Sequence, residues 1–276
     1  MPFDTITSRT GLVIVLAVIC VLGISSRGYA APGSERITFK SADSTVSAPI
    51  PATVYRPKGS GPFPGVVLLH ACNGIRANDS KWAEWLVTLG YVAILPDSHS
   101  PRQVSTACEG GGLTFRERAL DGLGALAYLR SQPDVIPSKV AVMGWSHGGA
   151  STLISASARF INATHPIGGG YQAAVAFYPP CVAFHDGNLV SPLLMLMGSA
   201  DDWTPPDRCV ERGTALQTAG TPIEWKIYKG AMHTFDEPSP NRVVRISGRR
   251  YHLEYDRTAA KDAHDQVQRF LRTYLQ

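Results

Sequence analysis

Gly144-Trp145-Ser146-His147-Gly148-Gly149 carries the pattern G-x-S-x-G. It follows an apolar run at residues 139–143 and opens a helical stretch from about His147. In that strand–turn–helix setting the pattern forms a nucleophile elbow, with the serine on a tight turn and its hydroxyl exposed. The glycines fit this reading, because a Cβ at Gly144 or Gly148 would crowd backbones that approach closely. An ordinary glycine-rich turn is the bland alternative. Ser146 would attack an acyl carbon, and the His147 amide, at a helix N-terminus, would face the developing oxyanion.

A serine hydroxyl needs a base to take its proton, and the base needs an acid to orient it. On an elbow fold these follow the serine in the order acid, then histidine. Of the 8 histidines, His233 lies in a loop just after a late apolar run, in Lys229-Gly230-Ala231-Met232-His233. His252 is the fallback, within an arginine-rich hairpin. Gly198-Ser199-Ala200-Asp201-Asp202 offers two carboxylates; spacing from Gly198 favours Asp201, and the other would cap the next helix. The loop His70-Ala71-Cys72-Asn73-Gly74 should supply the second oxyanion donor, by position the Cys72 amide. A catalytic Cys72 thiol is the rival reading. Arg102, Trp145 and Trp203 are the candidate substrate-binding side chains.

Apolar runs bounded by turn residues at 65–70, 91–95, 139–143, 173–178 and 193–197 read as strands buried on both faces, and residues 223–228 read as another strand. Residues 37–39 and 53–55 read as short leading strands. Helices are expected over 80–89, 115–131, from about 147, and at the C-terminus, where Ala259, Ala263, Val267, Phe270, Leu271 and Tyr274 form one stripe. Thr204 reads as the N-cap of another helix, with Pro205 at its first position. Residues 243–246 and 251–255 read as a hairpin across Ser247-Gly248. The alternation implies one α/β domain: a mostly parallel eight-stranded sheet with helices on both faces.

The composition is that of a globular protein. Of 276 residues, 44% are hydrophobic and 17% charged, with 26 Gly and 20 Pro, which excludes disorder, collagen and coiled coil. A net charge of +4, mixed in sign, indicates neither a nucleic-acid nor a membrane-surface partner. Residues 1–30 read as a signal peptide: Arg9, an uncharged run from Gly11 to Ser26, then Gly28-Tyr29-Ala30 at the cleavage site. An uncleaved anchor is the alternative. Removal takes the net charge from +4 to +3 and leaves residues 31–276 in a periplasmic or secreted setting. Cys72, Cys108, Cys181 and Cys209 would then form disulfides, with zinc binding as the runner-up.

Together these residues resemble the α/β-hydrolase fold, and within it the dienelactone hydrolase family. The likeness rests on His70-Ala71-Cys72-Asn73-Gly74, Pro96-Asp97, the Gly144–Gly149 elbow, Gly198–Pro205 and Lys229–Phe235. It implies ester or lactone hydrolysis by a Ser146–His233–Asp201 triad, with no metal and no cofactor. Members with a cysteine nucleophile hold a substrate carboxylate with arginines, one of them four residues past the catalytic histidine. That position is Glu237 here, which would repel a carboxylate; Arg102 could fill the other role. The strand order of this fold implies the pairings Cys72–Cys108 and Cys181–Cys209.

The leading expectation is therefore an exported serine hydrolase of small-molecule esters or lactones. An acyltransferase or a small peptidase on the same fold is the alternative. A non-catalytic binding protein would have no use for the complete Ser, His and Asp set.

Overall fold

The computed structural model describes residues 1–2, 33–184, 188–218, 220–239 and 241–276. The expected signal peptide lies almost wholly outside these residues.

Eight strands form one sheet: β1 (Ser34–Phe39), β2 (Ile50–Tyr55), β3 (Phe63–Leu69), β4 (Val92–Pro96), β5 (Val135–Trp145), β6 (Ala173–Phe177), β7 (Leu193–Gly198) and β8 (Ile223–Tyr228). Their order is β1-β2-β4-β3-β5-β6-β7-β8. The pairs β1–β2 and β2–β4 are antiparallel and every other pair is parallel. The fold is thus the predicted mostly parallel eight-stranded α/β sheet. Strands β4, β6 and β7 are buried along their whole length, which is why they read as unbroken apolar runs.

Alternation along each strand builds two cores. Val67 and Leu69 of β3 pack toward α2 (Phe115–Arg130), α3 (His147–Ala156) and α5 (Asp207–Thr218). Val66 and Leu68 pack toward α1 (Ala77–Thr88) and α6 (Arg257–Leu275). Thr114 and Glu117 close a capping box at the start of α2, and the Asp256 side chain caps α6.

Some boundaries differ from the sequence expectation. Helix α5 starts at Asp207, not Pro205, because Thr204 does not cap it: its hydroxyl lies 2.9 Å from Asp201 and 3.0 Å from the Tyr178 carbonyl. The helix after the elbow breaks at Ser157, where the backbone is extended, and resumes as α4 (Ala158–Thr164). Strands β9 (Arg242–Ile246) and β10 (Arg249–Leu253) form the expected hairpin as a separate two-stranded sheet. It is fastened near the active-site loops by a bridge between Leu253 and His233.

Candidate active site

The carboxyl ends of the parallel strands bring the predicted residues together. Ser146 follows β5, Asp201 follows β7 and His233 follows β8. Ser146 has φ 51° and ψ −112°, a conformation that costs strain in a non-glycine residue and is held by its surroundings. A Cβ on Gly148 would overlap the Leu69 carbonyl, and one on Gly144 would overlap that of Gly148. The elbow can therefore approach β3 only with glycine at these positions.

The Ser146 hydroxyl lies 3.0 Å from His233 Nε2, and His233 Nδ1 lies 2.7 Å from Asp201 Oδ2. This arrangement places the His233 proton on Nδ1 and leaves Nε2 free to accept from Ser146. Asp201 Oδ1 accepts the backbone N–H groups of Trp203 at 2.9 Å and Thr204 at 2.8 Å. Burial pushes the Asp201 carboxyl up, but the His233 imidazole and these hydrogen bonds outweigh it and hold the group below its usual value. Asp202 has a different partner: it accepts from the His252 amide at 3.0 Å and pairs with His252 Nδ1 at 2.6 Å. The two acids and the two histidines left open by the sequence thus sort into separate pairs.

The His147 side chain holds its own amide in place. Its Nδ1 accepts from Arg118 Nη1 at 3.1 Å, and its Nε2–H donates to the Leu113 carbonyl at 3.1 Å. These bonds tie the first residue of α3 to α2 and to the loop before it. Arg118 is wholly buried; burial lowers it to about 10, against the pull of Asp121, so it stays charged at neutral pH. The sequence carried a signal for it, since Arg118, Gly122, Ala125 and Leu129 fall on one helical face and all are buried. Arg118→Met is expected to reduce kcat about tenfold with KM little changed, because a displaced oxyanion amide acts on the transition state. Steady-state kinetics on a small ester checks this. An unchanged kcat would contradict it.

The same network makes the fold acid-sensitive. Burial, reinforced by Arg118, pushes His147 down to about 3 from 6.5, and pushes His70 well down too. Both take a proton near pH 6.5 when unfolded and refuse it when folded. Their stability is present above that pH and is lost on acidification, at about 1.4 kcal/mol per pH unit for each group. Asp79 opposes this, since burial raises its carboxyl to about 6 and the folded state takes that proton first. Two histidines outweigh one carboxyl, so the urea midpoint is expected to fall between pH 6.5 and 5. A flat or rising midpoint would contradict the assignment.

Behind His233, the buried Asp236 carboxylate accepts four bonds. Asn78 Nδ2, Trp82 Nε1 and Trp145 Nε1 donate to Oδ2 at 3.1, 2.9 and 3.0 Å, and the Tyr178 hydroxyl donates to Oδ1 at 2.7 Å. This fastens the His233 loop to α1, β5 and the end of β6. It also corrects one expectation: Trp145 is fully buried, with its indole N–H committed to Asp236, and touches no substrate space. Nothing in the local pattern around Asp236 distinguished it from the neighbouring Glu237.

Arg102 is likewise corrected. Both its terminal nitrogens bond Asp121, at 2.8 and 3.0 Å, so it is a structural ion pair under the loop after β4. Glu237 does not face substrate as an uncompensated charge either. It pairs with Arg76 and lies 3.9 Å from Arg242. Cys72 is disulfide-bonded to Cys108, and Cys181 to Cys209, with Cα separations of 4.8 and 5.3 Å. These are the expected pairs, so Cys72 carries no thiol, and its amide is left as the candidate donor.

Two cavities meet at Ser146. One, of about 260 Å³, reaches His233 and Thr234 and is walled by Val244, Ile246 and Leu253, with Arg76 and Arg242 on its rim. The other, of about 500 Å³, lies on the His147 side and is walled by Leu113, Phe115, Pro180, Trp203 and Tyr251. Trp203 and the Cys72–Cys108 bridge border both. Trp203 is the one predicted substrate-binding side chain placed at this space.

Known proteins resemble this chain in sequence and in fold. The chain is 26% identical over 195 residues to the probable 2-oxo-3-(5-oxofuran-2-ylidene)propanoate lactonase of a Bradyrhizobium species, covering 67% of this chain and 79% of that protein. It is 26% identical over 199 residues to the carboxymethylenebutenolidase of Pseudomonas putida, covering 66% and 79%. A thermophilic esterase from the planctomycete Thermogutta terrifontis superposes with a TM-score of 0.66 at 17% identity, over 87% of this chain and 92% of that one. The family model for dienelactone hydrolases matches residues 50–275, from β2 to the end of α6. The chain belongs to the dienelactone hydrolase family, and with it to the hydrolases of ester bonds.

Proposed function

We propose that this protein is an exported serine hydrolase that cleaves carboxylic esters or lactones through an acyl-enzyme on Ser146. The observation that carries the reading is the hydrogen-bonded line from Ser146 through His233 to Asp201, set where two cavities meet. His233 Nε2 takes the hydroxyl proton as Ser146 Oγ attacks the carbonyl carbon. Asp201 stabilises the imidazolium, and the His147 and Cys72 amides receive the oxyanion. His233 then gives its proton to the departing alcohol. A water molecule, deprotonated by the same nitrogen, releases the acid. The two disulfides and the signal-like residues 1–30 support export.

The substrate should be uncharged near the scissile bond. Arg76 and Arg242 border the smaller cavity, but Arg76 pairs with Asp79 and Glu237, Arg242 lies against Glu237, and Glu109 lines the same cavity, so this wall carries no net positive charge. A neutral ester is expected to show a kcat/KM about tenfold above that of its analogue with a free carboxylate on the alcohol. A panel of such pairs, with Ser146→Ala as control, tests both statements. Normal turnover by Ser146→Ala overturns the mechanism, and preference for the carboxylates overturns the charge argument.

A further inference from the structure

The two cavities at Ser146 differ in the chemistry of their walls, and the positions of His233 and His147 assign them to different halves of an ester. We infer that the acid half of the substrate is aromatic, a benzoyl or cinnamoyl type of acyl group, and that the larger cavity receives it. The inference rests on the reading of Ser146 as nucleophile and His233 as its base.

A tetrahedral carbon on Ser146 has four bonds. One goes to Oγ. The oxyanion points at the His147 and Cys72 amides. The leaving oxygen must lie within reach of His233 Nε2, which returns the proton to it. The smaller cavity is the one that His233 and Thr234 line, so the alcohol departs there, between Val244, Ile246 and Leu253. The fourth bond, to the acyl chain, is left with the larger cavity on the His147 side.

The walls of that cavity are aromatic. Trp203 and Tyr251 stack nearly parallel, with centroids 5.0 Å apart and planes 9° apart. Phe115 stands against the His147 ring at 4.4 Å, which fixes its orientation. All three rings are only part-buried, so each leaves surface to the cavity. Flat rings pair best with flat rings, by stacking or edge-to-face contact. The alcohol side shares Trp203, but it lacks Phe115 and Tyr251 and offers the aliphatic Val244, Ile246 and Leu253 in their place, which a small or aliphatic alcohol fits better.

The test uses the mature protein with methyl cinnamate and methyl butanoate, which share a leaving group, and with 4-nitrophenyl acetate as the measure of basal activity. Conjugation makes the cinnamate carbonyl the less electrophilic of the two, so intrinsic reactivity does not favour it. The expected result is a kcat/KM for methyl cinnamate about tenfold above that for methyl butanoate. In Phe115→Leu and Tyr251→Leu that ratio is expected to fall toward one. In Ile246→Ala, on the alcohol side, the ratio is expected to persist while the two values change in parallel. Hydrolysis of 4-nitrophenyl acetate without a cinnamate preference, or a ratio that responds to Ile246→Ala and not to Phe115→Leu, overturns the inference and leaves the serine hydrolase reading intact. Failure to hydrolyse any of the three esters overturns that reading itself.

Discussion

Ser146→Ala, His233→Ala and Asp201→Asn are each expected to lower kcat/KM for a small neutral ester by about a thousandfold or more. Each substitution removes a different part of one device. Without Ser146 there is no acyl-enzyme. Without His233 the hydroxyl keeps its proton. Asp201→Asn breaks the charge pairing at 2.7 Å and can hold the imidazole in the wrong tautomer. Because the three act as a unit, double mutants are expected to lose little beyond the worst single one. Asp202→Asn is the matched control. Its carboxylate is committed to His252, so the expected loss is under about tenfold, reached by loosening the hairpin. If Asp202→Asn instead matches Asp201→Asn, the assignment of the acid is wrong.

Opening the Cys72–Cys108 bridge is expected to lower both stability and turnover. The bridge closes 36 residues, for which loop entropy gives about 4 kcal/mol. It also fixes the loop that carries the Cys72 amide, together with a backbone bond of 2.8 Å from Ala107 to the Cys72 carbonyl. An oxyanion donor contributes about 3 kcal/mol to the transition state, so partial displacement is expected to reduce kcat about tenfold. Urea unfolding and kinetics on Cys108→Ser measure the two effects. The Cys181–Cys209 bridge closes 28 residues and joins the segment after β6 to α5, so it holds neither the Cys72 loop nor a proposed oxyanion amide. Its removal is expected to cost similar stability with a smaller loss of kcat. Normal turnover by Cys108→Ser would separate the bridge from catalysis.

The parts of this site visible in the sequence were those where one local pattern admits one backbone. The elbow needs glycine where carbonyls crowd, and Gly144 and Gly148 say so. Buried parallel strands cannot hide their apolar runs, and the loops after them inherit their order. The pairing of cysteines came from the strand order that the family resemblance implies. What the sequence concealed depends on side-chain direction across long separations. Trp145 sits beside the nucleophile in the chain, but strand alternation turns its ring to the opposite core, toward Asp236. Arg102 and Asp121 are 19 residues apart and meet only in the folded protein. Arg118 stands 29 residues from His147, so the helical face shows that its side chain is buried but not which partner it meets. The helix signal at Thr204 misled for a related reason: a hydroxyl suited to capping is used instead beside Asp201.

The most direct measurement of the central claim is covalent labelling of the active protein with a fluorophosphonate, read by intact mass and peptide mapping. A serine activated by His233 should take up one equivalent on Ser146, in step with the loss of esterase activity. Ser146→Ala should take up none. Full activity after exposure to the label, or inactivation with the label on another residue, would contradict the account.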